Sequence, residues 1–145
     1  MRLDPATLVV HLHVVGLVMA LLVVVNLFVP GRFHWREELS RVSLLNRQIF
    51  EAHSFFIVLL LALFSALFLT CADALLEPTR LSRAVLAGLT VFWGLRMLVQ
   101  WFFYSPAVWR GDRFNTMMHA VFSMTWIYVT AVCAAALWTS TNSGS

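Results

Sequence analysis

The chain has 145 residues, of which 61% are hydrophobic and 12% are charged, and its mean hydropathy is +0.83. An average soluble domain has roughly 45–50% apolar and about 25% charged residues, so this composition excludes a soluble globular or disordered protein. The net charge is +3, and all ten basic residues are arginines. The absence of lysine excludes Schiff-base chemistry, and the scattered positive charge gives no footprint for nucleic acid.

Four apolar stretches reach the length of about 20 residues that a helix needs to cross a bilayer. They cover residues 7–29, 48–71, 81–104 and 114–138. The connections between them are short, so consecutive helices must run antiparallel. The sequence therefore predicts an all-α fold class: an integral membrane four-helix bundle, up-down-up-down, that forms a single domain over residues 1–138. Residues 139–145 are polar and are expected to form a disordered tail.

Arginine is unevenly distributed among the polar segments of the chain. Because positive residues are enriched on the cytoplasmic side, the first and third connections are expected to face the cytoplasm. Both termini then lie outside the cytoplasm, with a bacterial inner membrane as the expected location. The first and third connections carry Arg32, Arg36, Arg41, Arg47, Arg110 and Arg113, whereas the N-terminus and second connection carry Arg2, Arg80 and Arg83.

The two halves of the chain share a weak pattern. Residues 16–19 read GLVM and residues 94–97 read GLRM, and Arg47 precedes His53 by the same six positions that separate Arg113 from His119. Two explanations stay open: two duplicated helical hairpins, or chance agreement between two apolar sequences of similar composition.

Polar side chains inside a span are costly in hydrocarbon and are therefore candidates for function. His53 and His119 each lie six residues, or about 9 Å, past the arginine that opens their helix, so both should lie at the same depth. The third helix brings Arg96 and Gln100 to that side of the membrane, one turn apart on one face. The predicted inner-leaflet cluster consists of Asn26, His53, Arg96, Gln100 and His119, with Trp93 and Trp101 nearby.

Two further patterns concern the fourth helix and the outer side of the membrane. The spacing of polar residues on the fourth helix predicts one stripe that faces the bundle interior. On the outer side, His11 and His13 are expected to approach the end of the second helix, but they lie about 200° apart around their helix and cannot hold one ion together. The stripe comprises His119, Ser123, Trp126, Thr130 and Cys133, and the second helix ends near Thr70, Cys71 and Asp73.

One functional hypothesis is a haem-binding subunit for electron transfer. His53 and His119 would present two axial imidazoles to one haem, with Arg47, Arg113 or Arg96 available for its propionates. This arrangement resembles that of b-type membrane cytochromes, and the resemblance implies haem b as the cofactor. A bis-imidazole haem needs about 12–13 Å between the two histidine Cα atoms, whereas diagonal helices leave roughly 8–9 Å, so the helices would have to splay.

Two other hypotheses use the same residues. In one, the chain is a carrier or membrane enzyme for a small anion or a lipid headgroup, and Arg96 pairs with Glu51, a headgroup or an anionic ligand. In the other, it is a non-catalytic structural or assembly subunit whose polar residues join helices. The chain has little room for a complete active site, which favours a non-catalytic role. The expected partners are the lipid bilayer and either further copies of the chain or other subunits of a membrane complex.

Overall fold

The computed structural model describes residues 4–32, 37, 39–105 and 112–142. In this part of the chain we number five helices in order, of which α1, α2, α4 and α5 are long and apolar enough to cross a membrane. This confirms the prediction of an all-α protein with four membrane-spanning helices. Three of the arginines used to predict orientation, Arg2, Arg36 and Arg110, lie outside the described residues. The helices are α1 (Pro5–Arg32), α2 (Leu44–Thr70), α3 (Ala72–Leu76), α4 (Arg80–Phe102) and α5 (Arg113–Asn142).

Side-chain caps set the starts of α2 and α5. The Ser43 hydroxyl accepts from the backbone N–H of Asn46 at 3.4 Å, so α2 begins four residues before the apolar run that the sequence marks as a span. At α5, Asp112 Oδ1 accepts from the backbone N–H groups of Phe114 at 2.7 Å and Asn115 at 3.1 Å. Both caps satisfy N–H groups that have no partner within the helix.

The end of α5 differs from the sequence prediction. The helix continues to Asn142, so residues 139–142 are helical where a disordered tail was expected. Ser140 is fully buried, and its hydroxyl donates to the Glu77 carbonyl at 3.1 Å. The Ser140 carbonyl in turn accepts from Arg83 Nε at 3.2 Å. These polar contacts extend the helix beyond the point where hydrophobicity ends.

The chain divides into two compact units. The α1–α2 unit is His13–Ala72, and the α4–α5 unit is Met1–Leu12 together with Asp73–Ser145. In the α1–α2 unit, Ser65 donates from its buried hydroxyl to the Gly16 carbonyl at 2.9 Å. A Cβ added at Gly16 would lie 2.7 Å from Leu69 Cγ and 3.2 Å from Phe68 Cβ. The two helices meet closely here because residue 16 has no side chain.

The α4–α5 unit has a larger buried core that includes two tryptophans. The first turns of α1 belong to this unit, where His11 Nδ1 is hydrogen-bonded to the Tyr128 hydroxyl at 2.8 Å. A Cβ added at Gly94, the counterpart of Gly16 in the repeat, would meet its nearest neighbour, a Thr130 methyl group, at 3.8 Å. The buried hydrophobic residues of α4 and α5 are Leu86, Leu89, Trp93, Trp126, Val129, Val132, Cys133 and Ala136.

We expect Gly16→Val to lower the free energy of unfolding in detergent by about 1–3 kcal/mol, because the new side chain would overlap α2. Gly88→Val is the matched control, since a Cβ at Gly88 meets nothing within 4 Å. The control should leave stability close to that of the natural chain. Unfolding followed by circular dichroism measures both variants, and equal losses would contradict the close contact at Gly16.

Candidate functional site

A chain of hydrogen bonds joins α4 to α5 inside the α4–α5 unit. Arg96 Nη1 donates to Gln100 Oε1 at 3.4 Å, one helical turn further along α4. Gln100 Nε2 lies 2.9 Å from His119 Nδ1 on α5. Gln100 is 5% exposed, so its amide is held in the interior while Arg96 and His119 are half-buried on either side of it.

The donor and the acceptor of each hydrogen bond in this series follow from the chemistry of Arg96. A guanidinium has only donors, so the Gln100 carbonyl must face Arg96, and the amide N–H must face His119. His119 Nδ1 is then the acceptor, and the proton of the neutral imidazole lies on Nε2. The remaining N–H groups of Arg96 are all donors, so this end of the hydrogen-bond chain offers donors and no acceptor.

Aromatic rings support the guanidinium. Arg96 Cζ lies 4.9 Å from the centre of the Trp126 ring, within the range of a cation–π contact. Trp126 is stacked on Trp93, with ring centres 5.1 Å apart, and on Phe122, with ring centres 6.2 Å apart. Such a contact contributes about 2 kcal/mol when it is desolvated. We call the residues Trp93, Arg96, Gln100, His119 and Trp126 the Arg96 cluster.

No carboxylate neutralises Arg96 within the described part of the α4–α5 unit, where its contacts are Gln100 and the Trp126 ring. Glu51, which was one predicted partner of Arg96, forms an ion pair at 3.2 Å with Arg47 on its own helix. A charged group inside a span normally has a partner of opposite charge, because hydrocarbon does not solvate it. Arg96 therefore has capacity for an anion.

The polar stripe of α5 lies on the packed face of the helix, as its spacing predicts. Trp126 and Cys133 are buried, and the other members are half-buried. Trp126 Nε1 and the Ser123 and Thr130 hydroxyls have no hydrogen-bond partner among the described residues. By contrast, Thr125 donates to the carbonyl of Val121 at 2.9 Å, the usual solution for a hydroxyl in a helix.

Four predicted site residues, Trp93, Arg96, Gln100 and His119, lie together in the Arg96 cluster. Trp101 is 44% exposed, and Arg113 is exposed at the start of α5. The other predicted residues, Asn26, Arg47, Glu51 and His53, belong to the α1–α2 unit and have partners on their own helices.

His53 differs from His119 in its hydrogen bond. His53 is exposed, and its Nδ1–H donates to the Ile49 carbonyl at 2.8 Å. A carbonyl only accepts, so the proton of a neutral His53 lies on Nδ1, whereas that of His119 lies on Nε2. The two histidines occupy matched positions in the repeat and have opposite tautomers.

Sequence comparison of the two halves shows why the cluster lies in the second hairpin alone. At the spacing that aligns the glycine motifs, Val18 and Leu22 occupy the positions of Arg96 and Gln100. At the spacing that aligns the histidines, Leu60 occupies the position of Trp126. The first hairpin therefore has apolar residues where the second has its donor and its aromatic support.

Sequence reasoning missed two contacts. It placed Trp126 on the buried stripe but did not identify it as the support of Arg96. It also did not identify the hydrogen bond between His11 on α1 and Tyr128 on α5. The sequence feature that could have predicted this partner is the phenol of Tyr128, which lies where the antiparallel fourth span passes the start of the first span.

The described residues contain no group of three or more His, Cys, Asp or Glu side chains that could hold a metal ion. Cys71 is exposed, Cys133 is buried, and both are free thiols.

Comparison of the chain with protein-family models, with curated proteins and with solved structures gives no match. Function is therefore inferred from the chemistry of the Arg96 cluster.

The tautomer of His119 is directly measurable. In protein labelled with ¹⁵N-histidine, we expect His119 to carry its proton on Nε2 and His53 to carry its proton on Nδ1. Gln100→Leu should remove the preference at His119 and leave His53 unchanged, so His53 is an internal control. A proton on Nδ1 of His119 in the natural chain would contradict the direction of the hydrogen-bond chain.

Proposed function

We propose that this small multi-pass membrane protein binds an anion, either a phosphate or a carboxylate, at the Arg96 cluster. The observation that carries the proposal is a guanidinium held over an indole ring inside a membrane span, with no carboxylate partner in the described part of its unit. An anion brought from outside the unit would neutralise the charge.

The geometry of the donors supports this chemistry. A guanidinium presents its N–H groups as a planar fork that matches a phosphate or carboxylate. Charge-assisted hydrogen bonds of this kind are roughly twice as strong as neutral ones. The hydrogen bond from Gln100 to His119 holds the Gln100 amide so that its carbonyl faces Arg96. Trp126 limits the movement of the guanidinium, which lowers the entropy lost on binding.

The cluster favours binding over catalysis. A general base needs a free lone pair near the substrate, and His119 Nδ1 is already an acceptor for Gln100. We therefore propose a carrier or binding subunit rather than an enzyme. From the arginine bias of the third connection we also propose that this end of the hairpin lies on the cytoplasmic side of a bacterial inner membrane.

Anion binding should raise the melting temperature of the purified protein. We expect stabilisation by at least one of inorganic phosphate, acetate and short-chain phosphatidic acid, because the anion binds the folded state alone. Arg96→Leu should abolish that stabilisation. Arg80→Leu, which removes an exposed arginine at the other end of α4, is the matched control and should keep it.

If no anion stabilises the natural chain, or if Arg96→Leu responds as the natural chain does, the proposal is wrong. Loss of stability in Arg96→Leu without any anion response in the natural chain would favour the structural-subunit hypothesis.

The haem b hypothesis remains a second candidate, and His53 is the observation in its favour. Its Nδ1–H bonds a backbone carbonyl, the usual arrangement of a histidine that ligates a metal through Nε2. His119 would have to break its bond to Gln100 and move its proton to Nδ1 before Nε2 had a lone pair for iron. The hydrogen-bond chain therefore makes His119 the weaker of the two ligands.

An absorbance spectrum separates the two candidates. Haem ligation by both histidines requires a Soret band in the purified or haem-supplemented protein, lost in His53→Ala and in His119→Ala. We expect no such band with this dependence, because His119 is held in the wrong tautomer. A Soret band that both variants abolish would favour the cytochrome hypothesis over anion binding.

A further inference from the structure

We infer that the anion at the Arg96 cluster is the phosphate of an anionic membrane phospholipid, which enters from the side through the bilayer. The inference rests on the proposed function and names its ligand. Two observations carry it: the surroundings of the guanidinium and its depth in the membrane.

Arg96 lies at the edge of the face that packs against α5. On one side of it are the buried Trp93 and Gln100. On the other side are Phe92 and Val99, which are 41% and 42% exposed. In a bilayer, exposed apolar side chains face acyl chains. The open flank of the guanidinium is therefore bordered by lipid.

The depth of Arg96 suits a lipid phosphate. The 23 residues of α4 span about 35 Å, slightly more than the hydrocarbon core of about 30 Å. Arg96 lies six residues, or about 9 Å, before the end of α4, which places its Cα roughly 7 Å inside the hydrocarbon. Its long side chain can extend toward the interface, where lipid phosphates already lie. A free anion in water would have to leave its hydration shell to reach the same place.

The charge of the Arg96 cluster also selects the type of lipid. Arg96 is a cation whose contacts within the described part of the α4–α5 unit, Gln100 and the Trp126 ring, carry no negative charge. A lipid with a net negative charge neutralises it, whereas a zwitterionic lipid brings a second cation with its phosphate. Phosphatidic acid and phosphatidylglycerol should bind better than phosphatidylcholine.

The test uses the full chain in detergent, with long-chain phosphatidic acid, phosphatidylglycerol, phosphatidylcholine or inorganic phosphate as the probe. Native mass spectrometry measures the bound fraction, and the melting temperature measures the stabilisation. We expect both anionic lipids to bind at least about tenfold more tightly than phosphatidylcholine, and inorganic phosphate to leave the melting temperature unchanged. Arg96→Leu should weaken binding of the anionic lipids by about tenfold or more, and Arg80→Leu should not.

The outcomes separate the inference from the proposed function. Stabilisation by inorganic phosphate that depends on Arg96 and matches that of the lipids would overturn the lipid assignment and keep the anion site. Equal binding of phosphatidylcholine would also overturn the inference. If no probe depends on Arg96, both the inference and the proposed function fail.

A variant that keeps the positive charge tests the inference even if Arg96→Leu does not fold. Arg96→Lys retains the cation but loses the planar fork, so we expect partial loss of lipid binding and a normal far-ultraviolet circular dichroism spectrum. The lipid preference of the natural chain is measured without any variant. Phosphatidylcholine competing equally with phosphatidic acid there contradicts the inference by itself.

Discussion

A positive charge inside an apolar hairpin is the constraint on which this structure depends. Hydrocarbon does not solvate a guanidinium, so the protein must provide the partners that water would otherwise supply. In the α4–α5 unit those partners are the face of Trp126 and the carbonyl of the buried Gln100. Neither partner carries a negative charge. Together they hold the guanidinium in place without neutralising its charge, which is the basis of the proposed anion site.

The position of that charge also explains the differences between the two hairpins. The α1–α2 unit achieves its close contact through Gly16 and a serine hydroxyl bonded to backbone, a purely structural solution. The α4–α5 unit packs more loosely at Gly94 and uses the space for aromatic rings and polar side chains. If the hairpins arose by duplication, one retained an apolar interior and the other acquired the polar cluster.

Hydrophobic periodicity and length were sufficient to predict the four spans, because bilayer thickness limits a spanning helix so strongly. Helix depth also predicted that Arg96, Gln100 and His119 lie at one level. The sequence could not show that His53 bonds its own helix, since matched spacing sets a residue's depth but not its hydrogen-bond partner. It also could not show that Trp126, one of several aromatic residues on α5, would be the one beneath the guanidinium. The buried end of α5 was missed because polar residues such as Ser140 suggest a tail until Glu77 and Arg83 are known to bond them.

The most direct measurement of the central claim is the distance between the Arg96 guanidinium and a bound phosphate. Solid-state NMR of ¹⁵N-arginine protein reconstituted with phosphatidic acid reports dipolar coupling between lipid phosphorus and guanidinium nitrogen. The expected result is a coupling typical of direct hydrogen bonding that disappears in Arg96→Leu and persists in Arg80→Leu. A coupling that is unchanged in Arg96→Leu would place the phosphate elsewhere and contradict an anion site at this cluster.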